Sequence, residues 1–351
     1  MKKAELVGVK EIARRANVSI GTVDRVIHNR KGVSAATRQK ISSIIAELDF
    51  RPNKMASLLA SKKIVNFAIL IPKVSTETDY WTYPLNGIEQ AGEEIKQFGV
   101  SIRYFFYDLD SRDSFNKEAK KLLHAKPQAI LLAPSFVEES TAVVKKIHEL
   151  NIPLVFINSD LPRQRGLSYI GPELYQSGRL AAQLTSLSIG RGDQIMVINI
   201  STDLENDHHL IRKEQGFRTY FSESNLANPV TTLNIYETKV ESVEKSILKA
   251  LQQHTNVKAF FVTNSRVNIV AKILKKHNKT QLLVGYDFLK NNIDYLEEGQ
   301  INFLICQRPK EQGYLAIMTL YKYFFNNSEP EKAIYMPIDI VTKENYRFYN
   351  I

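Results

Sequence analysis

The chain is expected to fold as an α/β protein with an all-helical N-terminal headpiece and a two-lobed body of doubly wound parallel sheet. Three observations predict this. From residue 64 onward, short apolar runs alternate with helix-length amphipathic stretches, and that repetition packs as parallel sheet with helices on both faces. Before residue 52 the apolar residues recur instead at helical spacing, between turn signals. The charge divides in the same place. Residues 1–63 hold 14 Lys/Arg and 5 Asp/Glu, which leaves 33 and 32 of the chain's 47 and 37 for the remainder. Nearly all of the net charge of +10 thus sits in the helical segment, as phosphate binding requires, whereas a merely soluble basic protein would spread it evenly. At 351 residues the chain exceeds what one core supports, so two or three domains are expected.

Taken in order, residues 9–27 form two short helices around a three-residue turn. Ile12 and Ala13 give the first an apolar side. Asn17, Val18 and Ser19 make the break, because Asn tolerates a left-handed conformation and Ser19 is a good N-cap. Val23, Val26 and Ile27 form one face of the second helix and Ile20, Gly21, Asp24 and Arg25 the other. An apolar helix pair whose second member exposes short side chains and an Arg is a helix-turn-helix reader of the DNA major groove. By itself the pattern fits a packing hairpin equally well. A third helix starts at Ser34, places Ile41, Ile44, Ile45 and Leu48 on one face, and ends before Pro52. A short candidate helix flanked by charge follows at 53–63.

Val18-Ser19 ahead of Thr22-Val23 and Arg25-Val26, Val33-Ser34 with Thr37-Arg38, Leu48 with Phe50, and Pro52-Asn53 with Ala56 and Leu58-Leu59-Ala60 stand in one order. They resemble the DNA-binding headpiece and hinge helix of the lactose-repressor (LacI/GalR-like) family. The resemblance implies a headpiece at 1–51, a hinge helix at 52–63 and an effector-binding and dimerisation domain at 64–351. It also implies a homodimer whose headpieces bind the half-sites of a pseudo-palindromic double-stranded operator. Arg25 would pair with guanine O6 and N7, Ile20 would touch a thymine methyl, and Gly21 adds no side chain. Lys10, Ser19, Thr22, Ser34 and Thr37 would hold phosphates. Asn53, Ala56 and Leu59 would lie on the hinge helix, with Leu59 as a minor-groove wedge. Two departures stand out: Asn17 where the family has Gly, and Asp24 where it has Ser. Asp24 is expected to steady the Arg25 guanidinium.

In the body, strand runs occur at 65–71, 100–107, 129–133, 154–157, 195–200, 230–235, 259–262, 282–284 and 303–306, with a last one at 335–341. Helical stretches include 84–98, 115–124, 141–150, 176–187, 240–252 and 267–277. Ligands of such sheets sit past the C-terminal ends of the strands. The residues there are Tyr80 and Trp81, Ser135, Asn158 and Asp160, Arg212 and Lys213, Asn264, Asp287 and Gln307. Aromatic faces stack on sugar rings, and amides, carboxylates and a base pair with hydroxyls. Any single Asx or Ser in this set is as readily a turn residue, and Trp81 alone is more readily packing. The runs 284–287 and 304–309, with Gly171-Pro172-Glu173, Gly178 and Gly216-Phe217, resemble the same family's periplasmic-binding-protein-like sugar-binding domain. The resemblance implies a small sugar or sugar-like effector between the lobes. Lys213 stands where the family has Arg, and Asn158 where it often has Asp.

Other classes lose ground on chemistry. Cys306 is alone, which removes disulfides and thiolate metal sites. The basic start lacks the apolar stretch of a secretory signal, and no apolar run approaches a membrane span, so a cytoplasmic protein is expected. Gly190-Arg191-Gly192 precedes a strand and is a turn; Walker, zincin and nucleophile-elbow motifs do not occur. His208-His209 lacks a spaced third ligand. No catalytic site, cofactor or metal is expected. With no heptad tail past the last strand, a dimer is favoured over a coiled-coil tetramer. The expectation is a sequence-specific transcriptional repressor controlled by a sugar. The rivals are a transporter-type sugar-binding protein, which needs export and no headpiece, and a doubly wound enzyme with a DNA-binding arm.

Overall fold

The structure, a computed structural model, describes residues 8–27, 29–48, 50, 64–75, 79–205, 207–326 and 328–349. The chain divides into two compact units, Met1–Ser61 and Lys62–Ile351. The expected hinge helix, with Asn53, Ala56 and Leu59, lies outside the described residues.

The first unit holds α1 (Val9–Ala16), α2 (Ile20–Ile27) and α3 (Ala35–Glu47). Ile12, Ala13, Ala16, Val23, Val26, Ile41 and Ile44 form its core, drawn from all three helices. Asn17 ends α1 at φ 55°, the left-handed cap expected of it. The turn is held as its residue types dictate: the Thr22 amide donates to the Ser19 hydroxyl at 3.2 Å, and the Thr37 amide to that of Ser34 at 3.2 Å.

The second unit has two lobes, each with a six-stranded sheet. In chain order its elements are β1 (Val65–Pro72), α4 (Thr82–Lys96), β2 (Val100–Tyr107), α5 (Arg112–His124), β3 (Ala129–Leu132), α6 (Val137–Glu149), β4 (Leu154–Ile157), β5 (Ser168–Gly171), α7 (Leu174–Ser188) and β6 (Gln194–Ile200). There follow α8 (His208–Glu223), β7 (Val230–Ile235), α9 (Val240–Gln253), β8 (Val257–Val262), α10 (Val267–Lys276), β9 (Leu282–Tyr286), α11 (Lys290–Glu297), β10 (Phe303–Cys306), α12 (Pro309–Asn326), β11 (Ala333–Tyr335) and β12 (Asp339–Val341). The first lobe orders its strands β11-β5-β4-β3-β1-β2 and the second β12-β10-β9-β8-β6-β7, so the lobes repeat one topology. All pairs are parallel except β10 with β12.

Helices cover both faces of each sheet, as the alternation predicts. Phe115, Leu122, Val144 and Ile147 pack on one face of the first lobe. In the second, Val243, Ile247, Val270 and Leu274 cover one face and Ala181, Ala182, Phe217 and Phe221 the other. Two helix pairs approach closely through glycine. A Cβ at Gly87 of α4 would overlap the Lys310 carbonyl, and one at Gly178 of α7 the Lys213 carbonyl. The second contact sets the distance between α7 and α8, the helix that carries Lys213.

Two expectations are corrected. Residues 335–341 are not one strand: β11 joins the first lobe and β12 the second, broken at Met336-Pro337-Ile338. Proline cannot donate to a ladder, so the run parts where the chain crosses between lobes. β5 was not expected, because Ser168-Tyr169-Ile170-Gly171 is too short and mixed to stand out as an apolar run.

Candidate functional site

In the first unit the buried Val23 and Val26 turn the opposite face of α2 outward. Ile20 is 49% exposed, and Gly21 and Arg25 are exposed beside it. Lys10 and Ser34 are exposed, and Thr22 and Thr37 half-buried. Ser19 and Thr22 share a hydroxyl hydrogen bond at 2.9 Å, as Ser34 and Thr37 do at 2.8 Å. The face thus offers one long cation, one apolar side chain and capped helix starts, which is what a groove-reading helix presents. Asp24 was expected to steady Arg25; instead its carboxylate faces Arg30 at 3.3 Å. One turn on from Asp24 the chain leaves α2, and that brings Arg30 back over the acid.

In the second unit, a cavity of about 110 Å³ lies between the lobes, with room for a ligand of the order of ten non-hydrogen atoms. Eight of the ten positions read from the strand ends line it: Tyr80, Trp81, Ser135, Asn158, Lys213, Asn264, Asp287 and Gln307. Asp160 and Arg212 do not. Asp160 is exposed and faces His208 at 3.2 Å, and Arg212 bonds Gln215 at 2.7 Å and lies over the Tyr175 ring. Lys213, one residue further along α8, is rotated by about 100° and points inward.

The first lobe's wall is largely aromatic, with one acid, Asp110, which accepts from Thr202 of the second lobe at 3.2 Å. Tyr80 and Trp81 meet edge to face at 5.4 Å. The Tyr80 hydroxyl donates to Asn158 Oδ1 at 2.6 Å, and Tyr107 donates to the Ala133 carbonyl at 2.7 Å and shares a hydrogen bond with Ser135 at 2.6 Å. Burial, then the charge of Asp287, pushes the Tyr80 phenol well above its ordinary pKa, so it stays a neutral donor.

The second lobe's wall carries charge. Gln307 donates to Asp287 Oδ1 at 3.0 Å. Lys213 is 3% exposed; its ammonium donates to the Thr263 carbonyl at 3.2 Å and lies 3.6 Å from the Tyr286 ring centre. Burial lowers Lys213 to about 8, with Asp287 opposing, and raises Asp287 to about 6, with Lys213 opposing. Asp207 is likewise raised to about 6 by burial. His209 is held down at about 3 by burial, then by the charges of Lys213, His208 and Arg266.

Sequence reasoning missed Asp207 and His209, together with Ser201, Thr202 and Asp203, all of which line the cavity. They follow β6 in a loop and on the first turn of α8. A usable signal existed: His209 precedes Lys213 by four residues, which places both on one helix face. Among the described residues no group of three or more His, Cys, Asp or Glu is disposed to hold a metal. None of the described helices is long and apolar enough to cross a membrane.

Residues 67–327 match the family described as periplasmic binding protein domain, and residues 8–53 match bacterial regulatory proteins, lacI family. Catabolite control protein A of Staphylococcus aureus (strain MRSA252) is 28% identical over 154 residues, 42% of this chain and 43% of that protein. The Staphylococcus xylosus protein of the same name is 26% identical over 187 residues, 53% of each chain. The chain therefore spans about half the length of these curated relatives, or less. A solved structure described as a LacI transcriptional regulator from Bacteroides fragilis superposes with a TM-score of 0.75 at 29% identity, over 82% of this chain and all of the other. A glucose-galactose binding protein from Geobacillus stearothermophilus superposes at 0.72 with 22% identity, over 81% and 99%, a likeness of fold alone.

Proposed function

From a chain that belongs to the periplasmic binding protein domain family and carries a lacI-family domain ahead of it, we propose a sequence-specific DNA-binding transcriptional regulator, a repressor, controlled by a small sugar or sugar-like effector held between the lobes. The observation that carries this reading is the pairing, on one chain, of a basic helix-turn-helix headpiece with a cleft on which eight strand-end positions converge. A transporter-type binding protein has use for the cleft but none for the headpiece. The matched families are described by binding and regulation, which favours a regulator over an enzyme.

The working form proposed is a cytoplasmic homodimer on a pseudo-palindromic operator. Arg25 reads a guanine and Ile20 a thymine methyl; Gly21 lets the helix approach closely. Lys10, Ser19, Thr22, Ser34 and Thr37 hold phosphates, and Asn53, Ala56 and Leu59 belong to the hinge at 52–63. In the body at 64–351, the effector is held by Tyr80, Trp81, Ser135, Asn158, Lys213, Asn264, Asp287 and Gln307. Domain motion would couple the effector to DNA, and such coupling is reciprocal.

The test is a binding-site selection with the full chain, followed by titration over a salt series. Affinity should fall by orders of magnitude between low and moderate salt, as for roughly 6–10 phosphate contacts. Arg25→Ala should lose about 1–3 kcal/mol and relax one base pair per half-site, and Lys10→Ala should weaken all sequences alike. A fragment starting at Ile64 should bind ligand but not DNA. If that fragment bound duplex as tightly as the full chain, the proposal would fail.

A further inference from the structure

Lys213 is the only buried lysine among the described residues, 3% exposed in the wall of the cavity of about 110 Å³ between the lobes. Its surroundings suit an amine better than an ammonium ion. The nitrogen donates to the Thr263 carbonyl at 3.2 Å and lies 3.6 Å from the Tyr286 ring centre, and no described acid forms an ion pair with it. His209, one turn earlier on α8, is kept neutral by the same burial and adds no counter-charge. One carbonyl and one ring face replace little of the water that an ammonium loses on burial. The neutral form gains, and the nitrogen falls to about 8. A desolvated amine, partly neutral at physiological pH and open to a ligand cavity, is a nucleophile.

The groups that share the cavity supply what condensation with a carbonyl compound needs. Asp287 gives one carboxylate oxygen to Gln307, and no described residue takes the second. Its charge acts on Lys213, and burial raises it to about 6, so it takes up and returns a proton near neutrality. Asn158 Nδ2 and the Gln307 side-chain oxygen have no partner among the described residues, which leaves a donor and an acceptor for hydroxyl groups.

Resting for those hydroxyls on the sugar-effector reading above, we propose that Lys213 captures the carbonyl carbon of a small hydroxylated aldehyde as a reversible imine. The nitrogen lone pair adds to the carbonyl carbon, and the C=O π pair moves onto oxygen. Both protons of the amine pass to that oxygen, with Asp287 as carrier. The C–O bond then breaks as the nitrogen pair forms C=N, and the oxygen leaves as water. Nothing is oxidised or reduced, and hydrolysis runs the same steps backwards. An open-chain sugar presents such a carbonyl, and the shortest sugars, unable to close a ring, always do.

The experiment exposes the full chain to D-glyceraldehyde with sodium cyanoborohydride, which reduces an imine to a stable secondary amine. Peptide mass mapping then finds the marked lysines. Near neutral pH the neutral fraction of Lys213 exceeds that of an ordinary lysine about two-hundredfold; a weaker base is also a weaker nucleophile, so Lys213 should be marked about tenfold or more faster than any exposed lysine. That ratio should shrink as pH rises from about 7 to about 10, because the exposed lysines then lose their protons too. Lys213→Met, shown to be folded by its melting curve, should lose the fast phase of marking and keep the slow one. Marking spread over exposed lysines, with Lys213 no faster, overturns the proposal. So does a ratio that does not fall with pH. Either result leaves the sugar reading intact, because calorimetric titration with methyl glycosides, whose carbonyl is locked, tests that reading separately. Fast marking of Lys213 with no glycoside bound upholds the capture and removes the ring-form effector instead.

Discussion

Asn158 and Asp287 occupy the same place in their two lobes. Each follows the third strand of its sheet order, β4 in one and β9 in the other. Each has left-handed backbone, φ 69° and 73°, and each amide donates to the adjoining strand, to Ile170 at 3.1 Å and to Ile305 at 3.0 Å. The side chains part company. Asn158 is neutral and its oxygen is held by Tyr80 of its own lobe. Asp287 is ionisable, raised to about 6 by burial, and keeps one oxygen open. The contrast extends to the walls around them: rings and amides with one acid, Asp110, on one side, and Asp207, His209, Lys213, Arg266 and Asp287 on the other. One backbone design therefore serves two chemistries. The left-handed turn favours Asx at both positions and does not choose between Asp and Asn.

The largest expected effect breaks this contrast at its charged member. Asp287→Ala removes a buried acceptor, and the affinity for the effector should fall by about 2–3 kcal/mol, roughly 30–150-fold. Alanine in a left-handed turn should also lose about 1 kcal/mol of stability, which melting will show separately. Operator affinity without effector should be unchanged, because the headpiece is a separate unit. What should vanish is the response of operator binding to effector. A variant that responds as the parent does would place the pocket elsewhere.

How much of this was legible follows from what each signal depends on. The headpiece was legible because caps and left-handed residues act locally: Asn17, Ser19 and Ser34 do in the structure what their side chains dictate. The sheets were legible because buried parallel strands are near-continuous apolar runs. The strand-end rule found Asn158 and Asp287 because it depends only on topology. It misplaced Arg212 and passed over His209 and Asp207, because α8 enters the cleft end-on and there the helical period decides what points inward. β5 and the break at Pro337 were hidden because both are set by partners far off in sequence, Tyr169 against Ala333 and Asp339 against Cys306.

A change of pH sharpens the contrast without a mutation. Asp287 and Asp207 have folded-state values near 6, above the ordinary 3.8. A group raised on folding contributes stability below its unfolded pKa, and that contribution is lost as pH rises through the folded value. These two groups stabilise the effector-free body as pH falls from 7 to 5, whereas His209, held at about 3 against an ordinary 6.5, takes its proton only in the unfolded chain over that range and opposes them, so the melting point should change little. Effector affinity should fall, because protonated Asp287 no longer accepts: about tenfold weaker for each unit below 6. Tyr80, Tyr107 and Tyr169 of the first lobe are pushed upward and stay neutral throughout, so these phenols add nothing to either trend. Asp287→Asn keeps the left-handed turn and removes the proton, and it should flatten the affinity profile. A slope that persists in Asp287→Asn would assign the titration to Asp207 or to the effector itself.

The smallest effect concerns where the two walls meet. Arg112, at the start of α5 in the first lobe, donates to Glu139 of the same lobe at 2.8 Å and pairs with Asp203 of the second. Two more links join the lobes at the cleft: Thr202 donates to Asp110 at 3.2 Å, and His208 faces Asp160 at 3.2 Å. The Arg112 side chain is 37% exposed, and pairs so placed are worth about 0–1 kcal/mol. Arg112→Gln should therefore weaken the effector by a factor of about two to five. A link between the lobes counts only in arrangements that hold them together, and the effector can lose no more than that difference. Glu139→Gln supplies the control. It disturbs a pair within one lobe, so it should leave effector affinity nearly unchanged while lowering the melting point slightly. A loss beyond tenfold in Arg112→Gln would mean that the guanidinium touches the effector.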